Sequence, residues 1–151
     1  MNFERYSVKQ EIQKPLVLLV TGVLGSGKTT FLVNLLNWLK NNDHNLPPII
    51  VNDRGTQSNL DYSRVNQIEG VDAVDLHGQC IGCGGRDEFV DIIKNTRQEL
   101  IIVEPTGLFN MSELNEISEI VSADFRSIHL LPGNKLESSL ISTENITSNF
   151  I

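Results

Sequence analysis

The sequence predicts an α/β fold, a mostly parallel central sheet between two helical layers. Three observations carry this expectation. Short unbroken apolar runs at Leu16–Val20, Ile49–Val51 and Leu100–Val103 have the composition of strands covered on both faces. Stretches with apolar residues at helical spacing lie between them, and alternation of strand and helix means βαβ units. A glycine-rich segment, Gly22 to Thr30, joins the first run to the first helical stretch, and strand C-terminal ends line the ligand crevice of such sheets.

The elements follow in order. Residues 1–14 form a polar lead-in, 15–131 the folded domain and 132–151 a polar tail rich in Ser, Thr and Asn. After the glycine-rich loop, Phe31, Leu32, Leu35, Leu36 and Leu39 fall on one helical face, which closes at Asn41-Asn42-Asp43 before Pro47-Pro48. The second strand, Ile49–Val51, ends at Asn52-Asp53. Thr56 to Gly70 is polar and aperiodic, a loop with room for one short helix. Val71–Leu76 reads as a weaker strand. A helix using Phe89, Val90 and Ile93 starts near Arg86, and Leu100–Val103 is a buried strand ending at Glu104. Asn110 with Glu113 has the spacing of a cap pair, opening a helix whose apolar positions are Leu114, Ile117, Ile120 and Val121. Ser127–Leu131 supplies a fifth strand.

Composition narrows the function. The 151 residues suit one domain with its own core. Nineteen acidic against 12 basic residues leave a net charge of −7, which argues against broad binding to nucleic acid or anionic membrane. The longest apolar run is far too short to span a bilayer, and residues 1–14 lack the apolar core of a signal peptide. Two cysteines make no disulfide framework. The expectation is a cytoplasmic protein.

Gly22-x-x-x-x-Gly27-Lys28-Thr29 is a complete Walker A pattern in its required setting, between a buried strand and an amphipathic helix. Glycines let the backbone wrap with its N–H groups facing an anion, and the helix that follows adds its N-terminal dipole. The phosphate cradle is therefore Gly22, Gly25, Ser26, Gly27, Lys28, Thr29 and Thr30. Lys28 brings positive charge to the β- and γ-phosphates, and the Thr29 hydroxyl is a Mg²⁺ ligand. Glu104, an acid at the end of another buried strand, either holds Mg²⁺ or polarises the attacking water. Gly107 offers a backbone N–H to the γ-phosphate. These features predict a three-layer P-loop NTPase sandwich.

Cys80-x-x-Cys83, with His77 three positions earlier, gathers three metal-ligating side chains within seven residues. Asp53 or Glu104, each at a neighbouring strand end, is a candidate further oxygen donor, with water or a partner protein as the alternative. The spacing alone leaves three readings open: a zinc site, a redox dithiol, and two small residues in a turn.

Four segments together, Gly22–Thr30, Val51–Gly55, Gly78–Cys83 and Ile102–Leu108, resemble the CobW-type P-loop GTPases, metallochaperones close to the nickel-insertion GTPases. The resemblance covers about residues 15–110. It implies binding and slow hydrolysis of GTP with Mg²⁺, handling of Zn²⁺ or Co²⁺, and a client metalloprotein. Glu104 and Gly107 match the family's E-x-x-G element. Asp53 stands where the family has Glu, in N-E-x-G. Cys80 and Cys83 match the outer cysteines of C-x-C-C, with Gly82 in the middle place and His77 the candidate substitute. Asn134-Lys135-Leu136-Glu137 is one methylene from the guanine-reading N-K-x-D. Set against the family, the chain reads as a truncated or minimal domain, incomplete at its C-terminus. Two rival readings stand beside it: an ATP-dependent ATPase or kinase without a metal role, and a non-hydrolysing binding module.

Overall fold

The computed structural model describes residues 14–52, 58–76, 81, 84–105 and 111–133. Along them run β1 (Leu16–Gly22), α1 (Lys28–Asn41), β2 (Ile49–Val51), α2 (Ser58–Asn66), β3 (Ala73–Asp75), α3 (Arg86–Asn95), β4 (Leu100–Glu104), α4 (Met111–Ile120) and β5 (Asp124–Leu130). The strands make one sheet in the order β3-β2-β4-β1-β5, with every neighbouring pair parallel.

That order assigns the helices to faces. The chain moves from β1 towards β2 and β3 through α1 and α2, then back across the sheet to β4 and β5 through α3 and α4. Right-handed crossovers in opposite directions put the two helix pairs on opposite faces. The core confirms it. Leu32 and Leu36 of α1 and Val65 of α2 pack with Ile49, Val51 and Ile102. Phe89, Val90 and Ile93 of α3 and Ile117 of α4 pack with Ile50, Ile101 and Val103. Successive residues of β2 and β4 thus enter different layers, the two-residue period of a strand covered on both faces. The predicted three-layer α/β sandwich is the observed fold. Leu32, Leu36 and Phe89 are wholly buried, and truncating any of them to Ala would cost about 2–5 kcal/mol.

Some elements differ from their expected form. The polar stretch after β2 contains α2, a nine-residue helix held by Val65 and Ile68. β3 is limited to three residues because its only ladder partner, β2, is three residues long. β5 begins three residues earlier than expected, at Asp124. It is the sheet's edge, exposed along most of its length, and its early charges are tolerated there: Arg126 Nε sits 3.2 Å from Asp124 Oδ2. Ile120 is exposed because Ile117 and Val121 fill the buried stripe of α4. The lead-in, the expected cap at Asn110 and most of the tail lie outside the described residues.

Lys40 of α1 donates a 3.0 Å hydrogen bond to Glu69 beyond α2. This bond and the ammonium charge hold the Glu69 carboxyl below its ordinary value of 4.5. The folded state therefore binds this proton less tightly than the unfolded chain. The pair's stabilisation is present above the ordinary carboxylate range and is lost as pH falls through the lowered value. In Lys40→Ala, an NMR titration should find Glu69 back at its ordinary value, with little change in stability at neutral pH because the pair is exposed.

Candidate nucleotide site

β1 and β4 lie side by side, and the chain leaves their C-terminal ends towards opposite faces, into α1 and α4 respectively. This is the topological switch point of the sheet, where crevices form in open α/β folds. A cavity of ≈ 260 Å³ opens there, lined by Leu24, Gly25, Gly27, Lys28, Thr29, Thr30, Asp61, Arg64, Glu104 and Pro105.

The loop between β1 and α1 takes its shape from its glycines. Gly22 has φ +143°, and a Cβ there would lie 2.5 Å from the Leu130 carbonyl oxygen and 2.5 Å from Ser26 Oγ. Only glycine lets the loop turn this close to β5. Gly25 and Gly27 also have positive φ, but a Cβ on either would meet nothing within 4 Å. Their side-chain positions are open space, as a cradle for a ligand requires. Ser26 N–H donates to the Val23 carbonyl at 3.1 Å, and Ser26 Oγ is buried without a hydrogen-bond partner among the described residues.

Gly27 caps α1 with φ 91° and no side-chain hydrogen bond, and the first turn contains no acid. The helix therefore presents its N-terminal N–H groups with no side-chain cap and no acid from its own first turn, a setting suited to binding an anion. The Lys28 ammonium rests back on the loop, 3.1 Å from the Gly22 carbonyl oxygen and 3.5 Å from that of Val23. Thr29 is buried, and its hydroxyl donates a 2.9 Å hydrogen bond to Glu104 Oε1. Glu104 is only 4% exposed. Its backbone carbonyl accepts from Asn52 N–H at 2.8 Å, so the end of β2 is fastened to the end of β4. An orphaned hydroxyl, an open glycine cradle, a lysine ammonium on the loop and a Thr–carboxylate pair together fit a magnesium-bound polyphosphate.

The residues expected to form the phosphate site are thus brought together. Gly25, Gly27, Lys28, Thr29, Thr30 and Glu104 line the cavity, while Gly22 and Ser26 form the turn behind it. Asp61 and Arg64 join them from α2, and the sequence reading gave neither a role because it allowed this stretch a short helix but found no period to place it. The available signal was the spacing of Tyr62, Val65 and Ile68, one helical face in an otherwise polar segment.

Gly107, Asp53, His77, Cys80 and Cys83 lie outside the described residues, as does Asn134–Glu137. Among the described residues, no group of three or more His, Cys, Asp or Glu is placed to hold a metal ion. The flanks are informative nonetheless. Ile81, between the cysteines, is fully buried in the core layer of α3 and α4. Leu76, after β3, donates its N–H to Val51 at 3.2 Å.

A family model described as the CobW/HypB/UreG nucleotide-binding domain matches residues 16–131, all five strands included. The chain belongs to this family. The Zinc-regulated GTPase metalloprotein activator 1 of Dictyostelium discoideum is 32% identical over 111 residues, which is 61% of this chain and 22% of that protein. The chain spans about a fifth of that relative's length. Among solved structures, the signal recognition particle 54 kDa protein of Aeropyrum pernix K1, in complex with GDP, superposes with a TM-score of 0.54 at 18% identity. That likeness covers 80% of this chain and 31% of the other, and it shows the shared P-loop fold. No helix among the described residues is long and apolar enough to cross a membrane.

Two substitutions probe this geometry. Gly22→Ala should force Leu130 and Ser26 apart, destabilise the chain by about 1–3 kcal/mol in urea unfolding and abolish retention on a nucleotide resin. Thr29→Val keeps the volume but removes a donor from a buried carboxylate. It should cost about 1–3 kcal/mol in the nucleotide-free chain, with Thr29→Ser recovering most of the loss.

Proposed function

We propose that this CobW-family domain binds and hydrolyses GTP with Mg²⁺, and that its nucleotide state controls a cysteine site carrying zinc or cobalt to a client metalloprotein. The observation that carries the reading is the buried Thr29–Glu104 pair closing a Walker A cradle at the sheet's switch point.

The residues divide the work. Backbone N–H groups from Gly25 to Thr30 surround the inner phosphates. Lys28 exchanges its loop carbonyls for phosphate oxygens. Thr29 and Glu104 are the donors for Mg²⁺, which when bound neutralises charge building on the β- and γ-phosphate oxygens. Glu104 also polarises the attacking water, and Gly107 receives the γ-phosphate through its N–H. Hydrolysis adds this water to the γ-phosphorus, breaks the bond to the bridging oxygen and leaves the diphosphate with the electron pair.

Zinc handling is supported by the printed description of the Dictyostelium relative and by the sheet order. The strands preceding Asp53, His77 and Glu104 are β2, β3 and β4, which are sheet neighbours ending on one rim. A metal held by Cys80 and Cys83, with His77 and Asp53 as further donors, would border the nucleotide crevice. Loss of the γ-phosphate would then alter the metal loop, the usual logic of nucleotide switches.

Competition of a fluorescent nucleotide by GTP and ATP, with calorimetric zinc titration in each nucleotide state, tests this as a whole. GTP should displace the probe at least tenfold better than ATP. Zinc affinity should differ between the diphosphate and triphosphate-analogue forms, and Cys80→Ser should weaken it at least tenfold. Preference for ATP would overturn the base assignment. Equal zinc affinities in both states would reject coupling, and an unaffected Cys80→Ser would reject the metal role.

A further inference from the structure

We infer that Arg64 is a phosphate-contacting residue that distinguishes a nucleoside triphosphate from a diphosphate. This rests on the reading that the cavity takes a nucleotide. Asp61 and Arg64 lie on the same side of α2, one turn apart, and both line the cavity with Lys28, Thr29 and Glu104. The rotation of α2 is not free. Val65, fully buried, and Ile68 fasten its apolar face to the layer that holds Leu32 and Leu36 of α1. With that face inward, Arg64 lines the cavity from α2.

Charge gives this placement a purpose. The cavity's side chains include two cations, Lys28 and Arg64, and two acids, Asp61 and Glu104. The acids balance the cations before any ligand enters, so a polyphosphate needs every cation within reach. Lys28 stands on the glycine-rich loop, Thr29 donates to Glu104, and Arg64 makes no ion pair with any described residue. Its guanidinium is exposed, and its planar fork matches two oxygens of one phosphate. The inner phosphates belong against the N–H groups of the P-loop and the start of α1. The terminal phosphate extends past Lys28 towards β4 and α2, where Arg64 waits. A diphosphate does not reach it.

The test compares wild type, Arg64→Ala, Arg64→Lys and Lys28→Ala for binding of GDP and of a non-hydrolysable GTP analogue, each with Mg²⁺. Arg64→Ala should lower analogue affinity roughly tenfold or more and leave GDP affinity within about twofold. Arg64→Lys should fall between, keeping the charge without the fork. Circular dichroism should give all four the same fold, because both altered side chains lie at the cavity and outside the core. Equal weakening for both nucleotides would place Arg64 on the sugar, the base or the inner phosphates and overturn the proposal, as would no change for either. A wild type that binds neither nucleotide would instead sink the underlying nucleotide reading, and Lys28→Ala should lose both ligands if that reading holds.

Discussion

The hydrogen bond from Thr29 to Glu104 is the contact on which the rest of the site depends. It joins the first turn of α1 to the end of β4 across 75 residues of chain, inside the protein. A carboxylate is costly to bury without partners, so its position dictates much around it. The Thr29 hydroxyl must point into the sheet, which orients the first turn of α1. The Asn52 amide fastens β2 to the backbone of the same residue. The glycine-rich loop then has one path between β1 and α1, and that path leaves the Gly25 and Gly27 positions open to a ligand.

The sheet divides the molecule into two compartments with different duties. The helix that opens at the P-loop is rooted on one face by Leu32 and Leu36. On the other face Ile81 is buried beside Phe89 and Ile93 of α3. No helix passes through the sheet to link them. β4 touches both layers, Ile101 and Val103 in one and Ile102 in the other. It also carries the carboxylate at its end. The coupling proposed between nucleotide and metal would therefore have two routes, through the β4 side chains or along the rim where β2, β3 and β4 end. The Arg86–Glu116 ion pair, 2.9 Å long, ties the start of α3 to α4 within the second compartment.

Much of this was legible in the sequence, for identifiable reasons. β1, β2 and β4 are apolar throughout because both faces are covered, and such runs stand out. The Walker A spacing is dictated by close backbone approaches, so Gly22 and Gly27 could be assigned before their angles were known. Glu104 was readable as an acid ending a buried run. The misses fall where burial is slight. α2 rests on a few apolar contacts and looks like loop, which hid Asp61 and Arg64. β5 is an edge and accepts Asp124 and Arg126 near its start. The strand order was also not written in any local pattern, because it follows from which helix packs on which face.

The site is widely dispersed along the chain, and this has a consequence in time. β1 is made first, yet its ladder partners in β4 and β5 are made much later. Thr21 meets His129, its hydrogen-bonding neighbour 108 residues on. A nascent chain that has released only the Walker A segment and α1 has the motif but no crevice. The carboxylate, the facing wall of α2 and the β5 carbonyl behind Gly22 are still missing. Parallel pairing at such separations is slow and leaves apolar strands uncovered meanwhile. Nucleotide cannot rescue that interval, because a ligand stabilises only the state that binds it. Its occupancy therefore reports a finished sheet.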